Sequence, residues 1–344
     1  MTLTSPTTTP PTTTSPTMTL PTTASPSVTP TNPPQKWAGP AGGTYLLKVD
    51  NVTKRYGDHT VVEDLSFTVP PGRVTGFLGP NGSGKSTTLK IMLDLARADE
   101  GSASIGGHRY RELSDPARTV GAMIESEAFH PGRSGRNHLR ILADATGSSL
   151  ARVDDTLEQV GLADAADRRA GAYSLGMRQR LGLAAALLGE PPVLILDEPG
   201  NGLDPQGIRT LRDLLRTHAA RGGTVFVSSH LLAEVEHLVD DVIVINQGRL
   251  VAHGALAELQ QAASLARTND PRRLAAELEQ AGATTQTQGA DGLIVRGMPS
   301  DEIGDRAFNI GVALHELSPH AGSLEELFLI WTSDPSADTK GSQP

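Results

Sequence analysis

The octapeptide Gly79-Pro80-Asn81-Gly82-Ser83-Gly84-Lys85-Ser86 constrains this chain more than any other feature. It follows Val74 to Leu78, a short apolar run of the kind that forms a buried strand. A helical pattern from Lys85 to about Ala96 comes next. Strand, glycine-rich loop and helix in that order are the context in which G-x-x-x-x-G-K-[ST] cradles phosphate. The glycines let backbone N–H groups curve around phosphate oxygens with no Cβ in the way, and the helix start adds partial positive charge. Lys85 is expected to reach the β- and γ-phosphates, and Ser86 to coordinate Mg²⁺. A nucleoside triphosphate or a similar phosphate ligand follows; the reaction depends on the rest of the chain.

That rest alternates strand and helix. Leu46 to Val52 and Val61 to Val69 read as strands around a Gly57-Asp58 turn, and Pro71-Gly72 makes a second turn. Val193 to Leu196 and Val225 to Val227 are β-rich, and each precedes a helical segment. Residues 126–188 read as mostly helical. The pattern predicts a mainly parallel sheet covered on both faces. Beyond residue 258 it repeats on a smaller scale: Asp270-Pro271 opens a helix through Gln280, Leu293 to Val295 is a strand, Asp301 to Asn309 a helix and Val312 to Leu317 a strand. Ser323 to Trp331 closes as an amphipathic helix with Trp331 as a packing anchor.

Asp197-Glu198 ends the apolar run Val193 to Leu196. With the phosphate loop upstream, a buried strand delivers Asp197 to the Mg²⁺ shell and Glu198 to a water aligned for in-line attack on a γ-phosphate. The pair therefore points to a hydrolase.

Composition removes other chemistries. The chain has no cysteine, which excludes a disulfide scaffold, a thiolate metal site and a Cys nucleophile. A formal charge of −9 disfavours broad attraction to nucleic acid. No stretch reaches the roughly 18 apolar residues of a membrane-spanning helix, so a membrane role is expected to run through a separate partner. Residues 1–34 hold fourteen Thr, nine Pro and four Ser, with no charge before Lys36, and disorder is expected there.

Tyr173-Ser174-Leu175-Gly176-Met177-Arg178-Gln179-Arg180 resembles the signature of ABC-type ATPases, usually Leu-Ser-Gly-Gly-Gln. Gly202-Leu203-Asp204-Pro205 resembles that family's D-loop, Ser228-Ser229-His230 its H-loop, and Tyr56 its adenine-stacking aromatic position. The resemblance covers about residues 46–253. It implies a P-loop NTPase (RecA-like) α/β core with an antiparallel β subdomain and a helical subdomain at about 126–188. The expected organisation is a disordered tail over 1–44, an ATPase domain over 45–258, a small α+β extension over 259–334 and a disordered tail over 335–344.

Carried over residue by residue, the resemblance implies ATP and Mg²⁺ bound at Gly79, Pro80, Asn81, Gly82, Ser83, Gly84, Lys85, Ser86 and Thr87. Ser174 and Gly176 of a second subunit, in a homodimer or a heterodimer, would cap that site, and Tyr56 would stack on adenine. His230 would contact the γ-phosphate and hold the attacking water. Glu125, in Val120 to Glu125, falls where other ABC ATPases carry the Q-loop glutamine and remains a hard oxygen ligand for Mg²⁺. That glutamate, with the Leu-Gly-Met variant of the signature, resembles the bacitracin- and lantibiotic-exporter branch. The implied protein is the ATPase subunit of an exporter of an antibiotic or other drug, held at the cytoplasmic face of the membrane by a separate permease docked near Glu125. An importer ATPase with a regulatory C-terminal domain is the alternative, for which the tail would form a β-barrel. A ribosome-acting ABC ATPase would carry two cassettes, and a DNA-repair one a long coiled coil.

Overall fold

Alternation of apolar and polar residues sets the first hairpin. Leu47–Tyr56 (β1) and His59–Val69 (β2) pair antiparallel across a turn that places Gly57 at φ 59°. The computed structural model describes Met1 and residues 45–124, 129–261, 263–320 and 323–332, and those from 45 onward belong to one compact unit. The expected tails, over 2–44 and 335–344, and residue 125 lie outside the described residues.

Val74–Leu78 (β3) is buried at all five positions and leads through the glycine loop to Lys85–Met92 (α1). The helix stops one turn short of the predicted Ala96. The Lys90 carbonyl accepts the N–H groups of Leu95 (2.8 Å) and Ala96 (3.1 Å), and Asp94 turns left-handed at φ 53°. Asp94 is used elsewhere: its carboxylate accepts the Arg111 N–H at 3.0 Å. Glu100–Ile105 (β4) then returns to pair with β1, giving a small antiparallel sheet in the order β2-β1-β4.

Next come Pro116–Thr119 (α2), Val120–Met123 (β5) and three helices, Gly135–Thr146 (α3), Leu150–Gln159 (α4) and Leu175–Leu187 (α5), where the sequence predicts helical structure. Ser134, Ser149 and Ser174 cap them, each accepting a backbone N–H three residues on. Val193–Asp197 (β6), Pro205–Ala220 (α6), Thr224–Ser229 (β7), Leu232–Glu236 (α7), Asp241–Asn246 (β8) and Arg249–Ala255 (β9) complete the second sheet. Its order is β5-β6-β7-β3-β8-β9, parallel except for β9 at the edge.

Side chains alternate across this sheet with the period of two that a strand imposes. Leu194, Leu196, Val225, Val227, Val242 and Val244 enter a core shared with α5 and α6, while Phe77, Ile195, Phe226 and Ile243 face α1 and the small sheet. There Phe67, Phe77 and Phe226 stack with ring centroids 5.1–5.6 Å apart and join the two sheets.

After Leu256–Gln261 (α8) a second module begins: Ala263–Thr268 (β10), Pro271–Gln280 (α9), Thr284–Gln288 (β11), Gly292–Arg296 (β12), Ser300–Asn309 (α10) and Leu314–His320 (β13). The order β11-β12-β10-β13, all antiparallel, is the split βαββαβ arrangement, an open sheet rather than a barrel. Its core holds Ala266, Leu274, Leu278, Leu293, Val295 and Ile303. The closing helix, Leu324–Thr332 (α11), leaves that module: Leu324 and Phe328 pack into the core of the large sheet. The Trp331 side chain lies outside what the structure describes.

Candidate active site

The C-terminal ends of parallel strands are where an open α/β sheet exposes its loops. Here β3 delivers Gly79 against β8, where a Cβ would come 2.5 Å from the Ile245 carbonyl oxygen. Gly84 has φ 101°, and a Cβ there would meet the Val61 carbonyl oxygen at 2.7 Å. Both positions need glycine for these reasons. Lys85 opens α1 and is buried; its ammonium turns back and donates to the carbonyls of Gly79 (2.6 Å) and Pro80 (3.2 Å), bracing the loop. Burial pushes its pKa below the ordinary lysine value, and the carboxylates of Glu198 and Asp197 pull against that shift.

Asn81, Gly82, Ser83, Gly84, Lys85, Ser86 and Thr87 line a cleft of about 250 Å³ together with Val61 and Glu198. The Ser83 hydroxyl is buried there with no hydrogen-bond partner among the described residues. An orphan donor, glycines that a Cβ would fill and a buried ammonium make a fit for a polyanionic phosphate ligand. The exposed Ser86 hydroxyl and the Asp197 carboxylate are the hard oxygen donors that Mg²⁺ takes when phosphates supply the rest.

β6 brings Asp197 and Glu198 to the same edge. Ser228, from the adjacent β7, donates its hydroxyl to Asp197 Oδ1, and its Oγ accepts the Glu198 N–H at 3.0 Å. Glu198 sits at φ 50°, a left-handed conformation that side-chain-bearing residues rarely adopt. Its carbonyl accepts the Gln179 amide at 2.5 Å, and its carboxylate Oε2 lies 2.8 Å from His230 Nδ1 and accepts the His230 N–H at 3.3 Å. The phosphate loop, Asp197, Glu198 and His230 therefore converge.

Other predicted residues stand apart from this cleft. Ser174 is exposed at the start of α5, its Oγ accepting the Met177 N–H at 3.3 Å, and neither it nor Gly176 lines the cleft. Tyr56 is 53% exposed at the end of β1, with the Lys54 ammonium 5.0 Å from its ring centre. Glu125 lies outside the described residues. Leu175, in place of the first signature glycine, is 51% exposed. Arg180 Nη2 donates to Asp204 Oδ1 at 2.8 Å, and Asp204 caps α6 through the Gly207 N–H. That cap, and then Arg180, hold the Asp204 carboxyl below the usual range.

Three residues at the site have no predicted role there. Val61 reaches it only through the fold of the hairpin. Ser228 stands in a quoted motif but carries no chemistry in sequence. Gln179 likewise stands in a quoted motif, the signature, with no role of its own there.

Fold and loop together define a P-loop nucleoside-triphosphate hydrolase. Residues 62–201 match the family ABC transporter, and residues 263–325 match a domain of unknown function, DUF8746. A bacitracin transport ATP-binding protein of Enterococcus faecalis is 42% identical over 220 residues, 63% of this chain and 71% of that one. A lantibiotic transport ATP-binding protein of Streptococcus pyogenes is 38% identical over 208 residues, 60% of this chain and 89% of that one. A solved ATP-binding subunit of an ABC transporter superposes with a TM-score of 0.58 at 28% identity, covering 76% of this chain and 99% of that one. The chain belongs to the ABC transporter ATP-binding proteins and is an ATPase.

Proposed function

We propose that this ATPase powers an exporter of a peptide antibiotic or similar drug, acting as a head-to-tail dimer on a separate membrane-spanning permease at the cytoplasmic face. The observation that carries the dimer is the separation of the site's two halves: residues 81–87 and Glu198, which His230 meets at 2.8 Å, line one cleft, and neither Ser174 nor Gly176 lines it. A second copy would place its Ser174 hydroxyl and the N-terminal amides of its α5 on the γ-phosphate. Tyr56 would stack on adenine. The antibiotic is inferred from the names of the bacitracin and lantibiotic relatives.

Loop amides and Lys85 hold the β- and γ-phosphates, the ammonium exchanging its loop carbonyls for phosphate oxygens. Ser86 and Asp197, with Glu125, would hold Mg²⁺, which when bound neutralises charge on the phosphates. Glu198 takes the proton of the attacking water as its oxygen bonds to the γ-phosphorus and the bond to ADP breaks. His230 aims the Glu198 carboxylate and reaches toward the γ-phosphate.

Support for the permease comes from an apolar groove of about 740 Å³, lined by Leu95, Met123, Ile124, Phe129, Leu142 and Ala186 among others, of which Ile124 directly precedes Glu125 in the sequence. Among the described residues no helix is long and apolar enough to cross a membrane. The deciding measurement is Mg²⁺-dependent ATP hydrolysis by the purified chain and its Glu198→Gln variant, with dimerisation followed on adding ATP. Lost turnover with an ATP-trapped dimer supports the shared site. Equal turnover in both sinks the assignment of Glu198.

A further inference from the structure

A buried side chain on the helix that starts at Ser174 reaches the turn that carries Glu198. Gln179 is 3% exposed, and its Nε2 donates to the Glu198 carbonyl oxygen at 2.5 Å. The Glu198 N–H is held on the other side by Ser228 Oγ at 3.0 Å. Two hydrogen bonds thus fix the peptide planes around a residue whose φ of 50° is sparsely populated without such support. Fixing those planes fixes the direction of the Cα–Cβ bond, and with it the carboxylate that His230 meets at 2.8 Å.

The two anchors come from different parts of the fold. Ser228 stands on β7 of the large sheet, Gln179 on α5 of the helical segment. α5 follows the same loop further along. A Cβ on Gly176 would come 2.8 Å from the Gly202 carbonyl oxygen, and Arg180 bonds Asp204 at 2.8 Å. One helix thus lies along the loop from Glu198 to Asp204, with Gln179 the contact that touches the carboxylate-bearing residue itself.

We propose that Gln179 is a positioning residue for hydrolysis, aiming the Glu198 carboxylate through the Glu198 carbonyl and tying that aim to the seating of α5. The proposal rests on Glu198 being the proton acceptor. A shift of α5 that breaks the bond lets the Glu198 backbone relax and the carboxylate swing away from the attacking water. The end of α5 that meets a second subunit is therefore linked to the base of its own subunit by one buried hydrogen bond.

Gln179→Met keeps the length and most of the volume but removes the donor; Gln179→Glu keeps the shape and sets acceptor against acceptor. Both are made in the full chain, alone and with Glu198→Gln, and read by steady-state ATP hydrolysis, thermal unfolding and ATP-driven dimerisation. The methionine variant is expected to fold and dimerise like the wild type, with KM within about twofold and kcat about tenfold lower, the weight of one neutral hydrogen bond in the barrier. The glutamate variant falls further. In the Glu198→Gln background, Gln179→Met changes the residual rate by less than about twofold, because its effect passes through Glu198. Wild-type kcat in a folded methionine variant overturns the proposal, as does an equal tenfold loss in the Glu198→Gln background. Where the methionine chain unfolds, wild-type kcat in the glutamate variant overturns it instead. Full turnover by Glu198→Gln alone removes the base assignment itself, and the positioning role with it, whereas a dead Glu198→Gln beside an unaffected Gln179→Met removes the positioning role only.

Discussion

Leu175 lies over the bare Cα of Gly202: a Cβ added to Gly202 would fall 2.5 Å from Leu175 Cδ2 and 2.6 Å from Cγ. The leucine that replaces the first signature glycine is accommodated because the D-loop residue opposite it has no side chain. Gly202 also has φ 74°, so alanine there meets two penalties, backbone strain and a displaced leucine. The strain costs about 1–2 kcal/mol. The leucine, half exposed, escapes outward, onto the surface that the proposed dimer would use. Gly202→Ala is therefore expected to lower the unfolding midpoint by a few degrees and to weaken ATP-driven dimerisation. Adding Leu175→Ala restores dimerisation but not the strain. A double variant that dimerises no better than Gly202→Ala alone would show that the leucine is not what moved.

Ser228 offers a second test, because one hydroxyl holds the Asp197 carboxylate and the Glu198 backbone. It donates to Asp197 and accepts the Glu198 N–H. Ser228→Ala frees the Asp197 oxygen and leaves the Glu198 N–H only the Ser228 carbonyl, at 3.2 Å. Turnover is expected to fall about tenfold, on the order of 1.4 kcal/mol, with a rise in the Mg²⁺ concentration giving half-maximal rate. Titrating Mg²⁺ against rate in the variant checks both. An unchanged Mg²⁺ requirement would mean that Asp197 does not need the serine to hold its orientation.

What was legible in the sequence divides along physical lines. The glycine loop and Asp197-Glu198 each follow a buried apolar strand, and local pattern alone placed them. The signature, D-loop and H-loop were found as motifs, but that Leu175 covers Gly202, or that Gln179 reaches Glu198, depends on α5 packing beside a loop that begins eleven residues after its last turn. Glu100–Ile105 holds a single large aliphatic, and its pairing with β1 makes it a strand. No strand is predicted over Asp241–Asn246, although its four consecutive aliphatics carry the same signal as Val193 to Leu196; so short a run reads equally as part of a helix. β10 and β11 are short and flanked by small or polar residues, and only the module's other strands make them a sheet. The left-handed Glu198 has no local signature, since the hydrogen bond it accepts from Gln179 and the one it donates to Ser228 hold it.

His218 makes the stability of the large sheet sensitive to acid. It is buried in α6 with Nε2 3.4 Å from the Pro192 carbonyl oxygen, and burial lowers its pKa from 6.5 to about 4. Above pH 6.5 it is neutral both folded and unfolded and contributes no pH dependence. As pH falls from 6.5 toward 4 the unfolded chain binds a proton that the folded chain refuses, so stability is lost across that window. Between pH 7.5 and 5 the loss from this residue is about 2 kcal/mol. Urea unfolding of the wild type and His218→Gln at the two pH values isolates it from the carboxylates. Equal losses in both proteins would show that the histidine is protonated in the fold.

α11 is expected to behave as part of the large sheet although it closes the small module. Leu324 is fully buried in the core that holds Val235, and its N–H donates to Glu236 Oε1 at 3.3 Å. The same oxygen accepts the Gln260 amide, so the last residue of α7 gathers α8 and α11 together. The core of the module, from Ala266 to Val312, includes no residue of α11. Leu324→Ala removes buried apolar volume from the large sheet's side only, a loss of about 2–4 kcal/mol. Hydrogen exchange should then rise in 324–332 and in Leu232–Glu236, two residues beyond His230, while the buried amides of β10 and β12 keep their protection. Because α7 begins two residues after His230, ATP turnover should change along with the exchange in α7. Exchange that rises evenly through 263–332 with α7 unchanged would instead make α11 an element of the module, and the contact with α7 incidental.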